Sequence, residues 1–208
     1  MVELMTFDEN GIVRQLEQVA KPVRGAFAAA AAERLMPMYL RFHERTTQGD
    51  PARLENALEA AWRGVSGQSR DDELGSWQAV AEALVPDEDD SWTDDSAFAQ
   101  HAAAAVAYAL RSLRSTDPRE AGWAARQVYE AADYAELARK GAVDINEPGA
   151  ERRILTRDLV QFALAGIHED LAAALAAGGR ANDIPASMRV RAREGGQRLR
   201  QLVSAHEV

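Results

Sequence analysis

The chain has 208 residues, no cysteine and a formal net charge of −9, and about one residue in five is alanine. That length suits one ordinary domain or two small ones, helix-favouring alanine with few strand formers predicts an all-α fold, and the lack of cysteine excludes disulfides, thiolate zinc sites and a cysteine nucleophile. The acidic balance argues against broad binding to nucleic acid or to an anionic membrane.

The opening residues, MVELMTFDENG, carry acids and no apolar stretch, so they do not read as a signal peptide; a cytoplasmic protein is expected. A first helix is predicted from about Gly11 to Ala20, ended by Lys21-Pro22. The second helix, about Pro22 to Arg45, places Phe27, Ala31, Leu35, Met38, Tyr39 and Phe42 on one face. Its interior Pro37, worth about 3 kcal/mol against a helix, predicts a kink or a break. The run Gly25–Ala32 is the most apolar of the chain, and it is far shorter than the ~20 residues that span a bilayer.

Gly49-Asp50-Pro51 combines a stop, a cap and a proline start, opening a third helix to about Val65 with Leu54, Leu58, Ala61, Trp62 and Val65 in one stripe. A fourth, capped by Ser69 or Asp71, turns Leu74, Trp77, Val80, Ala81 and Leu84 inward. Pro86 opens an acidic stretch. The fifth helix runs from about Asp94 to Arg114 on a seam of Phe98, Ala102, Ala105, Val106, Ala109 and Leu113. The sixth follows Asp117-Pro118 and ends near Arg139; its small seam, Ala124, Val128, Ala131, Ala135 and Ala138, predicts a close neighbour, for which the equally small-faced fifth helix is the candidate. Glu147-Pro148 starts a long seventh helix, inward at Leu155, Leu159, Phe162, Ala163, Ile167, Leu171 and Leu175, closed by Gly178-Gly179. Ile184-Pro185 opens a last helix, interrupted at Gly195-Gly196.

No repeat and no biased linker divides the chain. The prediction is one all-α, bundle-like domain over residues 1–208, with about seven or eight helices. Residues 185–208 form a basic tail: they hold five Arg and two Glu, while the rest of the chain has a net charge of −12. The tail reads as a solvated amphipathic helix, or as one docked on the acidic body or on a partner subunit.

Six of the nine residues from Asp87 to Asp95 are carboxylates. Calcium loops need a glycine at the sharp turn and a distal glutamate; neither is present. The stretch reads as a solvated loop in which Asp94, Asp95 and Ser96 cap the fifth helix. A partner-binding surface of Asp87, Glu88, Asp89, Asp90 and Trp92 is the other reading. His43, His101, His168 and His206 form no Glu-x-x-His or His-Glu-x-x-His pattern. His168-Glu169-Asp170 reads as an exposed cluster, and His101 as a half-buried residue at the seam's edge or a ligand. Glu33-Arg34, charged among alanines, must be paired or exposed, as a structural ion pair or a binding pair. No phosphate-cradling glycine motif or hydrolase serine elbow occurs.

Phe27, Glu33, Arg34, Pro37, Tyr39 and Phe42 form F-x5-E-R-x2-P-x-Y-x2-F. With LEAAW at Leu58–Trp62 and AQHAAAAVAYAL within Asp95–Leu110, this pattern resembles the YjaG-like proteins, a family of uncharacterised bacterial proteins numbered 416 among the domains of unknown function. The resemblance spans about Phe27 to Ala138. It implies a compact, all-helical, cytoplasmic protein and brings no activity, cofactor or catalytic residue with it. Similar proteins tend to carry an aspartate where this chain has His101.

The expectation is therefore a non-enzymatic binding or interaction protein, with a protein partner or self-association, and without cofactor, metal, nucleic acid or membrane. The alternative is a small-ligand binder or enzyme with Glu33, Arg34 and His101 converging on a polar pocket.

Overall fold

The alanine-rich second helix is the axis around which the others pack. The computed structural model describes residues 4–87, 92–139, 146–177 and 185–205. These form α1 (Glu9–Leu16), α2 (Lys21–Thr46), α3 (Pro51–Val65), α4 (Asp71–Ala83), α5 (Asp94–Arg114), α6 (Arg119–Ala138), α7 (Ala150–Leu155), α8 (Asp158–Ala177) and α9 (Pro185–Ala205), with no strand among the described residues. In α2, residues 25–39 are buried without interruption. The predicted single face thus understates it, since the helix is enclosed on every side over this stretch, its charged Glu33 and Arg34 included. Ala26 and Ala28 to Ala32 keep its surface thin, and α3, α5, α6, α8 and α9 all close on it. Phe27, Leu35, Met38 and Phe42 are fully enclosed, each worth about 1.5–3 kcal/mol of burial.

Start signals act as their residue types require. Asp8 accepts from Gly11 N, and Asp50 from Arg53 N at 3.0 Å ahead of Pro51. Helix α5 differs from expectation. Its cap is Thr93, whose hydroxyl accepts from Ser96 N while Ser96 Oγ accepts from Thr93 N, a reciprocal capping box. The predicted cap Asp95 is buried elsewhere, and Asp94 accepts from the Tyr134 hydroxyl at 2.8 Å. The seam of α5 is buried throughout and packs on α2 and α6, so the small-faced sixth helix has the neighbour its alanines implied. Ala138, at the end of that seam, is exposed.

Four expectations change. Helix α2 passes through Pro37 as one element, so of the kink or break expected there the break does not occur; proline withdraws one N–H from the Glu33 carbonyl, and packing on every side holds the remainder. The long seventh helix is two, α7 and α8, parted at Thr156-Arg157, where Thr156 Oγ1 bonds the Arg153 carbonyl at 2.7 Å. Gly195-Gly196 lies inside a continuous α9 instead of interrupting it. The basic tail is docked, with Met188, Ala192, Leu199 and Val203 buried, not solvated. Helix α8 also meets the length and apolar composition of a bilayer span, which the run 25–32 does not; 44% of its apolar window is buried inside the fold, and Asp170 on it is 2% exposed.

Candidate functional site

Glu33 and Arg34 are neighbours on α2, so their side chains leave the helix about 100° apart and meet different partners. Glu33, 6% exposed, faces α3 and α9. Its carboxylate accepts from Trp62 Nε1 at 2.6 Å, Arg193 Nε at 2.7 Å and Arg189 Nε at 3.1 Å. Arg189 also grips Glu59 and lies over the Trp62 ring, 5.4 Å from its centroid. The hydrogen bond from Arg189 holds the Glu59 carboxyl below the usual glutamate range.

Arg34 faces α8 and α9. Its Nη2 donates to Asp170 Oδ2 at 2.6 Å and to the Gly166 carbonyl at 3.1 Å, and Arg191 reaches the other Asp170 oxygen at 3.3 Å. Burial pushes the Asp170 carboxyl above the ordinary aspartate range, and the Arg34 and Arg191 guanidiniums offset part of that. The guanidinium of Arg34 fits because glycines flank it. A Cβ on Gly166 would lie 2.9 Å from Arg34 Cζ, one on Gly195 2.2 Å from Nη1, and one on Gly196 2.6 Å from the Arg34 carbonyl oxygen.

Helix α9 matches this layout by its period. Arg189 and Arg193, one turn apart, take Glu33; Arg191, about 200° around from Arg189, takes Asp170. Further along α2 the pairing continues. Asp95 bonds Arg41 at 2.6 Å and Arg45 at 3.2 Å, Arg41 also reaches Ser204 on α9 at 3.1 Å, and Arg200 holds Glu44.

Beside the seam, α2, α3 and α9 enclose a cleft of about 240 Å³. Met36, Pro37, Leu40 and Pro51 line it together with the polar Glu33, Glu55, Arg193 and Gln197. Leu40 is 40% exposed there, and the Arg193 side chain is 58% exposed. A second cleft, about 430 Å³, lies between residues 4–8, α1 and His168.

The three residues expected to converge are divided. Glu33 and Arg34 share the α9 seam, whereas His101 lies between α5 and α6, with Nδ1 2.9 Å from Gln127 Oε1 and 3.9 Å from Glu130. Of the acidic stretch, Asp87 is exposed and Trp92 half-buried, while Glu88, Asp89 and Asp90 fall outside the described residues. Asp170 corrects the exposed-cluster reading: period 3.6 turns it inward while His168 and Glu169 face out. His43 meets the Gln48 carbonyl at 2.8 Å, and His206 lies outside the described residues. Among the described residues no group of three or more His, Asp or Glu could hold a metal ion. The partners missed from sequence, Trp62, Asp170, Arg189, Arg191 and Arg193, had one legible sign: three arginines at alternate positions just before a glycine pair.

A family described as "Protein of unknown function (DUF416)" matches residues 11–183. A crystal structure of a DUF416 family protein from Shewanella baltica OS155 superposes with a TM-score of 0.71 at 18% identity, covering 93% of each chain, a likeness of fold. No curated protein matches the chain.

Proposed function

The chain belongs to the DUF416 family, and within it we propose that the protein is a non-enzymatic, cytoplasmic binding module whose contact surface is the cleft between α2, α3 and α9. One observation carries this reading: the buried charges are spent on one another. Glu33 takes three donors, and Arg34 is committed to Asp170 and the Gly166 carbonyl. A general acid, base or nucleophile needs a site within reach of substrate, and at these side chains that reach is occupied by helix-to-helix contacts. The enzyme reading required His101 beside them, and His101 belongs to the α5–α6 contact. What the cleft does offer is exposed Leu40 beside Met36, Pro37 and Pro51, with Arg193 and Glu55 among its polar lining, the mixture that favours protein contacts.

The experiment is affinity capture from the native host with the wild type and with Leu40→Asp, each followed by mass spectrometry. The expected result is a protein captured reproducibly by the wild type and lost with Leu40→Asp, while the circular dichroism of the two is alike. Capture unaffected by Leu40→Asp, or a bound metabolite in place of any protein, overturns the proposal.

A further inference from the structure

The cleft between residues 4–8, α1 and His168 has a volume of about 430 Å³, within the range of about 300–1,000 Å³ that small-molecule sites occupy. Its wall is fixed by the fold. The Gln161 amide on α8 accepts from Met5 N at 3.0 Å and donates to the Met5 carbonyl at 2.9 Å, and Phe7 stacks on the Tyr129 ring of α6 with centroids 5.1 Å apart. Leu4, Met5 and Ile12 give the cleft an apolar lining. Its polar lining offers acceptors. Asp8, Gly11 and Gln15 are three and four residues apart, so they share one face of α1. Asp8 uses Oδ1 to cap Gly11 N at 2.9 Å, while its Oδ2 lies 3.8 Å from Arg14, with both side chains mostly exposed. Gln15 Nε2 donates to the Gly11 carbonyl at 3.2 Å, leaving Oε1 to accept. His168 Nε2 lies 3.4 Å from the Thr6 carbonyl; a carbonyl only accepts, so Nε2 bears a proton and Nδ1 of the neutral ring is an acceptor. A Cβ on Gly11 would collide with the Asp8 carboxylate, so the bare glycine leaves room for that charge. No lysine or arginine is among the described lining residues.

We propose that this cleft binds a small organic cation, a primary amine or guanidine with a compact apolar body. Its charge sits on Asp8, its remaining N–H groups go to Gln15 and His168, and its apolar part lies against Leu4, Met5 and Ile12. The start of α1 opposes a cation, but that partial charge is about half a unit, and Asp8 carries a full one. An anion of the same size meets the Asp8 charge with no guanidinium or ammonium to offset it. A neutral alcohol brings one donor to three acceptors. The site is separate from the contact surface proposed on α2, α3 and α9, so either can fail without the other.

The probe is phenethylamine, compared with phenethyl alcohol and phenylacetate at low ionic strength. The full-length protein, isotopically labelled at its methionine methyls, is titrated by NMR, with the Met5 signal assigned through Met5→Leu. The expected result is a saturable shift of the Met5 methyl with the amine, weaker binding of the alcohol and none of the carboxylate. Asp8→Asn removes the charge and keeps the helix cap, since asparagine caps as well as aspartate. It should weaken amine binding by about three- to tenfold. Asp72→Asn on α4 removes the same charge outside the cleft and should leave binding unchanged. A Met5 shift that never saturates, or equal weakening by the two variants, would report general attraction to an acidic surface and overturns the proposal. So does binding of the alcohol or the carboxylate as tight as that of the amine, or amine binding undiminished by Asp8→Asn.

Discussion

Gly196→Ala sets two effects of comparable size against each other. In the interior of a helix, replacing glycine by alanine stabilises by about 0.5–1 kcal/mol, because the unfolded chain loses freedom. At Gly196 the new Cβ would stand 2.6 Å from the carbonyl oxygen of Arg34, against 3.4 Å for ordinary contact. The atom it meets is backbone on the central helix, which cannot step aside, so α9 must lift by nearly an ångström. Such overpacking costs about 1–3 kcal/mol, and the lift also stretches the Arg189, Arg191 and Arg193 pairs. The clash outweighs the gain, leaving a net loss of about 1 kcal/mol, or roughly 2–4 °C in Tm for a chain of this size. The matched control is Gly75→Ala in α4, whose neighbour is the guanidinium end of Arg114 at 3.1 Å, a flexible side chain able to swing out. Urea titrations followed by circular dichroism should move the two variants in opposite directions: Gly75→Ala up, Gly196→Ala down. If Gly196→Ala is stabilised like its control, α9 does not sit on Arg34 as the Gly196 contact requires.

Glu33→Gln keeps an acceptor for Trp62 but removes the charge facing Arg189 and Arg193; a loss of about 1.5–3 kcal/mol is expected by urea denaturation, and a change below ~0.5 would mean that the three donors are not held together. Thr93→Ala should destabilise by about 1 kcal/mol as the loss of an N-cap, whereas Asp94→Ala should leave an intact cap, a ranking that chemical denaturation can reverse. Burial, with its hydrogen bond to Asp94, pushes the Tyr134 hydroxyl up to about 12. The folded state therefore favours the neutral phenol. Unfolded tyrosine ionises first, near its ordinary value of about 10, so stability should decline between about pH 10 and 12 and Tyr134→Phe should flatten that decline. A near-ultraviolet titration in which Tyr134→Phe removes a phenol ionising at the ordinary tyrosine value of about 10 would contradict the assignment.

Much of the architecture was legible because local rules act through adjacent residues. Asp50-Pro51 needed nothing distant to start α3, and the alanine seam of α6 required a close neighbour whichever helix supplied it. The break between α7 and α8 escaped because Thr156-Arg157 contains no glycine or proline, so a continuous apolar period masked it. The break allowed at Pro37 and the interruption expected at Gly195-Gly196 erred in the opposite sense, since both helices continue. Propensity rules assume a helix in solvent, and packing overrode them where α2 is enclosed and where α9 crosses Arg34. The candidate site was half legible. That Glu33 and Arg34 must be satisfied followed from burying charge among alanines, but their partners lie 29 to 160 residues away along the chain. Sequence by itself determined that the protein is a set of alanine-faced helices with an acidic body, a basic end and a charged pair needing satisfaction, because helical period, capping and charge are local properties. Only the tertiary structure decided that α9 closes over that pair, that Asp170 turns inward to Arg34, and that His101 stands apart, because which charges meet depends on how whole helices cross.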